Sequence, residues 1–225
     1  MPHTHALHRI RIWDLPTRAF HILLALCVAG LIATGEIGAM QLHFLLGYAV
    51  LTLVLFRLVW GVVGGHWSRF VNFVPTPAKL RAYLAAVRNQ QVPHSVGHNP
   101  LGALSVLGML VILLLQVFSG FFSDDEIANT GPWTALIPAD WVELATEYHS
   151  EIGKVVLISL IVLHIGTVLY YKRVKHDDLI TPMITGDKVL ESEIQASRDT
   201  HTSRLFALAL LTGCAYVVYQ LVHLA

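Results

Sequence analysis

Apolar residues fall into five long runs, near 19–40, 42–63, 101–122, 150–171 and 205–225, separated by segments where charges, prolines and glycines collect. A helix needs about 20 residues to cross roughly 30 Å of hydrocarbon, so the pattern predicts five transmembrane helices. Between the second and third runs, "PTPAKLRAYLAAVRNQ" opens on helix-compatible prolines. It sets Leu80, Tyr83, Leu84 and Val87 against Lys79, Arg81 and Arg88, the pattern of a helix lying on the membrane surface. "GPWTALIPADWVELATEYH" carries Trp133, Trp141 and Tyr148 among prolines and acids and reads as a folded loop at the opposite interface.

Composition agrees with a membrane protein: 55% of the 225 residues are hydrophobic and 13% charged. Fifteen basic and fifteen acidic residues balance, which gives no sign of nucleic-acid binding. Every Lys and Arg except Lys154 falls before the first run, at the far end of the second, between the second and third, or between the fourth and fifth. The positive-inside rule therefore predicts a cytoplasmic N-terminus, an outward-facing 123–148 loop and, with five spans, an outer C-terminus. The N-terminal segment lacks the short apolar core and cleavage site of a signal peptide, so the first run is expected to be retained. Cys27 and Cys214 lie in apolar runs far apart and read as small packing residues; no CxxCH for covalent haem attachment occurs. Residues 1–225 are expected to form one membrane domain, with a four-helix bundle over about 9–175, a polar cytoplasmic connection over 172–203 and an extra span at 205–225.

Thirteen histidines are many for such a chain. Most, including His3, His5, His8, His94, His176 and His201, lie in polar segments and are expected to be solvated. Four stand out in or at the ends of spans: His21, His43, His149 and His164. With the predicted orientation, His43 and His149 share the outer level. His164, fifteen residues beyond His149, lies roughly 22 Å deeper, near His21. Fifteen helical steps also return to within ~60° of the starting face. The four thus form two pairs stacked across the membrane, His21 with His164 and His43 with His149. A zinc site wants four protein ligands, whereas porphyrin already fills four of iron's six positions and needs only two. Two noncovalent, bis-histidine haems b are the economical reading. Gly47, Gly153 and Ala25, each four residues after a ligand, supply small neighbours on the ligand's face, although close helix packing accounts for them equally well. A single membrane histidine is more often a packing or hydrogen-bonding residue than a ligand; four at two matched depths are harder to explain that way.

Charges at these levels are candidates to meet haem propionates. Arg57 lies fourteen residues after His43, about 21 Å deeper and on nearly the same face, unless it snorkels to the cytoplasmic interface. Arg18 and Arg69 are further candidates, since guanidinium binds carboxylate through two parallel hydrogen bonds. Lys154 either neutralises an outer propionate or pairs with Glu151 or Glu36.

The stretches "IWDLPTRAFH" (12–21), "HFLLGYAVLTLVLFRLVWG" (43–61), "GHNPLGALSVLGMLVILLLQVFSGFFSDDE" (97–126) and "YHSEIGKVVLISLIVLHIG" (148–166), followed by "HDDLITPMITGDK", carry a resemblance. Over residues 9–186 the chain resembles the bacterial cytochrome b561 and nickel-hydrogenase b-type cytochrome family. The resemblance implies an all-α transmembrane four-helix bundle holding two haems b, here with a fifth C-terminal helix, located in the bacterial inner membrane and exchanging electrons with quinone. It implies the same ligand set, His21, His43, His149 and His164. In one respect the chain departs: span 4 spaces its ligands by fifteen residues where fourteen is familiar, a rotation of about 100° that a bulge or a tilted haem would absorb.

The expected function is transfer of electrons between the quinone pool and a periplasmic redox partner, a c-type cytochrome being favoured by the resemblance of "WDLPTR" and "GHNPLGA" to the type accompanying multihaem c-type cytochromes. The acidic outer loop would steer a basic docking face. The family also implies an alternative, the membrane subunit of a hydrogenase or formate dehydrogenase that reduces quinone. Whether the chain is itself an enzyme toward quinone is open, as is homo-oligomerisation. His98 and Asn99 are candidates to serve the quinone head group with Arg57 or Arg69, against the simpler account that Asn99 before Pro100 is a helix cap. Of another class is a transporter using histidines as proton or cation relays, which would place acids or broken helices at mid-depth, and spans 1, 2 and 4 show none there. A redox-silent anchor for a soluble enzyme is the third alternative.

Overall fold

The computed structural model describes residues 7–91 and 95–224, so His3, His5 and His94 lie outside the described residues. Among the described residues, five helices are long and apolar enough to cross a membrane: Leu15–Ile37, Met40–Val63, Pro100–Phe121, Ala139–Arg173 and His201–Val222. In chain order the elements are β1 (His8–Arg11), α1 (Leu15–Ile37), α2 (Met40–Val63), α3 (Phe70–Phe73), α4 (Pro77–Arg88), α5 (Pro100–Phe121), α6 (Ala139–Glu147), α7 (Lys154–Arg173), α8 (Ile180–Thr185), β2 (Asp187–Leu190) and α9 (His201–Val222). The chain is all-α in class. The five spans start within a few residues of the expected runs, except that the fourth begins much earlier.

That exception corrects the sequence reading. The last residues of the expected outer loop are helical: α6 runs through a π-helical turn, Tyr148–Gly153, into α7 as one helix of 35 residues. A π turn holds one more residue than the α turn it replaces. The fifteen residues from His149 to His164 therefore advance like fourteen, and the extra rotation is absorbed by this bulge.

The polar connection after α7 is also more structured than expected. Its β2 pairs antiparallel with β1, His8 opposite Leu190 and Arg11 opposite Asp187. The turn into β2 needs Gly186 at φ +93°, and the Gly186 carbonyl accepts from the amides of both Ile12 and Trp13. Tight helix entries follow the local chemistry. Thr76 caps α4 through the Lys79 amide with Pro77 in the first turn.

Two compact units are distinguished. The first comprises residues up to Ala19, Leu58–Leu107 and Gly166–Ala207. Its small core gathers Ile10, Ile12 and Trp13 with Trp67, Met183 and Ile194. Arg11 and Arg204 both bind Asp199 at 2.8 Å. Burial works against that carboxylate, yet Arg204, the Leu15 amide and Arg11 together hold its pKa below the usual range. The second unit comprises Phe20–Arg57, Gly108–Ile165 and Leu208–Ala225. Val50, Leu51, Val54, Leu113, Val117 and Phe121 are buried in it, whereas Leu26, Val111, Val162 and Leu163 are exposed, as suits helices that face lipid. Trp133 packs on Phe121 at 4.9 Å between ring centres and donates from Nε1 to the Leu221 carbonyl at 2.9 Å, which ties the outer loop to α9.

Candidate functional site

All four span histidines fall in the second unit and come together as two pairs. His21 on α1 faces His164 on α7 with ring centres 6.3 Å apart; His43 on α2 faces His149, in the π turn, at 6.0 Å. An in-line hydrogen bond between two imidazoles, with nitrogens ~2.9 Å apart, would set the ring centres at about 5 Å. A metal ion between two ring nitrogens at ~2 Å each sets them at about 6 Å. The observed separations match the second arrangement. Each pair brings two imidazoles together, the number of protein ligands that haem iron accepts.

The His43 and His149 rings are each held by a neighbouring helix. His43 Nδ1 lies 3.1 Å from the Leu31 carbonyl, and His149 Nδ1 lies 2.8 Å from the Gln116 carbonyl. A carbonyl only accepts, so both rings carry their proton on Nδ1 and leave Nε2 with its lone pair. Each carbonyl is followed three residues later by a hydroxyl beside the same nitrogen: Thr34 Oγ1 at 3.2 Å from His43, and Ser119 Oγ at 3.3 Å from His149. One residue further stands a glycine. A Cβ on Gly35 would meet His43 Cε1 at 3.5 Å, and one on Gly120 would meet His149 Cε1 at 2.8 Å. The same cradle, carbonyl, hydroxyl and glycine at positions i, i+3 and i+4, is thus built once on α1 ("LIATG") and once on α5 ("QVFSG"). The sequence reading missed these residues; the signal was a Thr-Gly and a Ser-Gly step one helical face away from a ligand in the neighbouring span. Of the small neighbours expected beside the ligands, Gly47 has no side chain within 4 Å of a built Cβ, while Gly153 is needed because a Cβ there would strike Gln116 and Tyr148.

The charged candidates separate. Arg57 is buried, 3% exposed, so it does not snorkel to water. Lys154 Nζ lies 3.4 Å from Glu36 Oε1, which selects Glu36 over Glu151. Both side chains are largely exposed, and such a pair contributes at most about 1 kcal/mol. Lys154→Ala is therefore expected to leave haem content unchanged, as pyridine hemochrome would report. In the first unit Arg18 donates to the Ile184 carbonyl at 2.6 Å and lies 4.0 Å from Asp199, and the Arg69 Nε is buried without a hydrogen-bond partner. Asn99 caps α5, accepting from the Gly102 amide at 2.7 Å, and its amide donates to the Tyr171 hydroxyl at 2.8 Å. His98 sits between Trp13 and Phe73, each 4.8 Å away by ring centres.

Comparison with known proteins agrees with this architecture. The chain is 25% identical over 138 residues to the probable Ni/Fe-hydrogenase 1 B-type cytochrome subunit of Escherichia coli K12, a match covering 49% of this chain and 58% of that one. To the probable Ni/Fe-hydrogenase B-type cytochrome subunit of Azotobacter chroococcum it is 24% identical over 222 residues, 82% of this chain and 90% of the relative. The corresponding protein of Bradyrhizobium diazoefficiens is 22% identical, with 80% and 85% covered. No solved structure matches. The family model for prokaryotic cytochrome b561 matches residues 12–186, which takes in every span but the last and all four paired histidines, and the chain belongs to that family of membrane b-type cytochromes.

Proposed function

We propose that the chain is a dihaem cytochrome b that carries electrons across the bacterial inner membrane between quinone and a redox protein at its outer face. In this reading His21 with His164 and His43 with His149 are the axial pairs, the N-terminus is cytoplasmic and the C-terminus periplasmic. One observation carries it: two imidazole pairs, 6.3 and 6.0 Å between ring centres, the outer rings with Nδ1 committed to carbonyls. When bound, haem supplies one-electron Fe(II)/Fe(III) chemistry. The chain's part is to hold Nε2 of each ring toward iron and to surround the site with apolar side chains. Arg57, buried in α2, is the proposed counter-charge for a propionate, with Arg18 and Arg69 as further candidates.

Quinone chemistry couples proton and electron transfer, so titratable groups must stand near the head group. At the start of α5, Asn99 binds Tyr171, whose hydroxyl is 3.3 Å from that of Tyr83, and His98 precedes Asn99 in the chain, packed between Trp13 and Phe73. These are the proposed quinone-side residues, although the Asn99 side chain is already engaged as a cap.

For the outer partner, a c-type cytochrome is our first reading. The hydrogenase names of the relatives favour a second, in which the partner is a hydrogenase and electrons flow toward quinone. Anaerobic spectroscopy on gently extracted protein tests both. The first expects quinol to reduce a b-type spectrum that oxidised cytochrome c then discharges. The second expects hydrogen gas to reduce it through a co-purifying enzyme. Pure protein without a reducible b-type spectrum would defeat both readings.

A further inference from the structure

Helix α5 supplies none of the four paired histidines, yet it grips His149 at two points. The Gln116 main-chain carbonyl takes the ring's Nδ1–H at 2.8 Å, and the Gln116 side-chain amide donates to the His149 carbonyl at 2.7 Å. The second bond has a specific reason. A π turn spans Tyr148–Gly153, and the extra residue of such a turn disturbs the regular pairing of carbonyls with amides. In lipid a carbonyl without a partner is costly, and the Gln116 amide supplies the His149 carbonyl with one. Ser119 Oγ, 3.3 Å from the same ring nitrogen, and Gly120, with room for no more than hydrogen beside Cε1, complete one face of α5 at i, i+3 and i+4.

We infer that Gln116 is a positioning residue for the outer haem: with Ser119 and Gly120 it fixes the orientation and tautomer of His149, and so sets the potential of the outer pair without touching the inner one. The inference rests on the proposed ligand pairs. Its physics is that a ring whose Nδ1–H is firmly accepted donates more strongly through Nε2, which favours ferric iron and lowers the potential. Loosening the grip should raise it. The bland alternative, that α5 merely packs closely here, predicts a change in stability with no preference between the two haems.

The test is a redox titration and low-spin electron paramagnetic resonance of purified Gln116→Leu and Gly120→Ala. The outer transition is first identified as the one that His43→Ala removes. Both variants are expected to raise the midpoint of that transition alone and to shift the largest g value of its signal. Gly35→Ala, where a Cβ meets the His43 ring only at an ordinary 3.5 Å, should leave both signals in place. Gln116→Glu, of the same shape and able when protonated to donate to the His149 carbonyl, should lie closer to the parent than Gln116→Leu and guards against misfolding of the leucine variant. Parent-like potentials and signals in both Gln116→Leu and Gly120→Ala, or equal shifts of both transitions, would overturn the inference. Failure of the ligand assignment is read separately, from haem content in His43→Ala.

Discussion

His164→Ala is expected to lower the haem content of the purified protein from about two per chain to about one and to abolish one of two redox transitions. His21→Ala should remove the same one. The reasoning is geometric: ring centres 6.3 Å apart suit a shared iron, and a porphyrin left with one imidazole between α1 and α7 loses half of its attachment to the protein. His43→Ala and His149→Ala should both remove the other transition. Double variants sharpen this, because two substitutions on one shared ion are not additive while those on separate ions are. His21→Ala/His164→Ala should therefore retain about one haem, like either single variant, and His21→Ala/His149→Ala should retain none. Pyridine hemochrome against protein concentration measures it. Two haems and two transitions surviving in His164→Ala would end the assignment.

How much of this was legible in the chain depended on range. The spans were, because an apolar run of membrane length has a single physical solution for its backbone. The histidine pairing was legible as an expectation, because topology and helical rise turn sequence distance into depth; in the fold the rings of these pairs lie 6.3 and 6.0 Å apart. The odd fifteen-residue spacing pointed to a bulge or a tilted haem, and the fold has a π turn at Tyr148–Gly153. What the sequence hid were contacts whose partners lie far apart in the chain and look ordinary where they stand. Thr34 and Ser119 read as hydroxyls satisfied by their own helices, which they also are, donating to the Gly30 and Gln116 carbonyls. Nothing local told that a neighbouring helix would bring an imidazole to the same oxygen. The β1–β2 ladder joins segments about 180 residues apart, each too short to signal a strand. In "WDLPTR" the aspartate, four residues before Arg18, gives no local sign of the distant donors it meets in the fold.

That aspartate should give the largest loss of stability of any single substitution considered. Asp14 is fully buried and accepts hydrogen bonds from the Thr17 amide at 2.8 Å, the Gly65 amide at 3.1 Å, Ser68 Oγ at 3.0 Å and Trp60 Nε1 at 3.3 Å. It therefore caps α1 and, with the same carboxylate, collects the end of α2 and the turn after it. Gly65 must be glycine because a Cβ there would run into Asp14 Oδ2. Asp14→Ala withdraws the acceptor from several buried donors at once. Each buried donor left unmet costs about 1–3 kcal/mol and the lost cap about 1 kcal/mol more, so the variant should be destabilised by several kcal/mol. Asp14→Asn keeps the shape and one acceptor oxygen, able to cap through the Thr17 amide, but turns an NH2 group toward the remaining donors. It should fall between the alanine variant and the parent. Reversible unfolding followed by far-ultraviolet circular dichroism would rank the three. An Asp14→Ala protein within about 0.5 kcal/mol of the parent, the range of an ordinary surface substitution, would show that these bonds do not hold the α1 entry in place. Because His21 lies two turns along the helix that this cap begins, on the proposed ligand pairs weakened retention of the haem assigned to His21 and His164 should accompany the loss of stability, while the haem assigned to His43 and His149, whose rings are held by the Leu31 and Gln116 carbonyls, should outlast it.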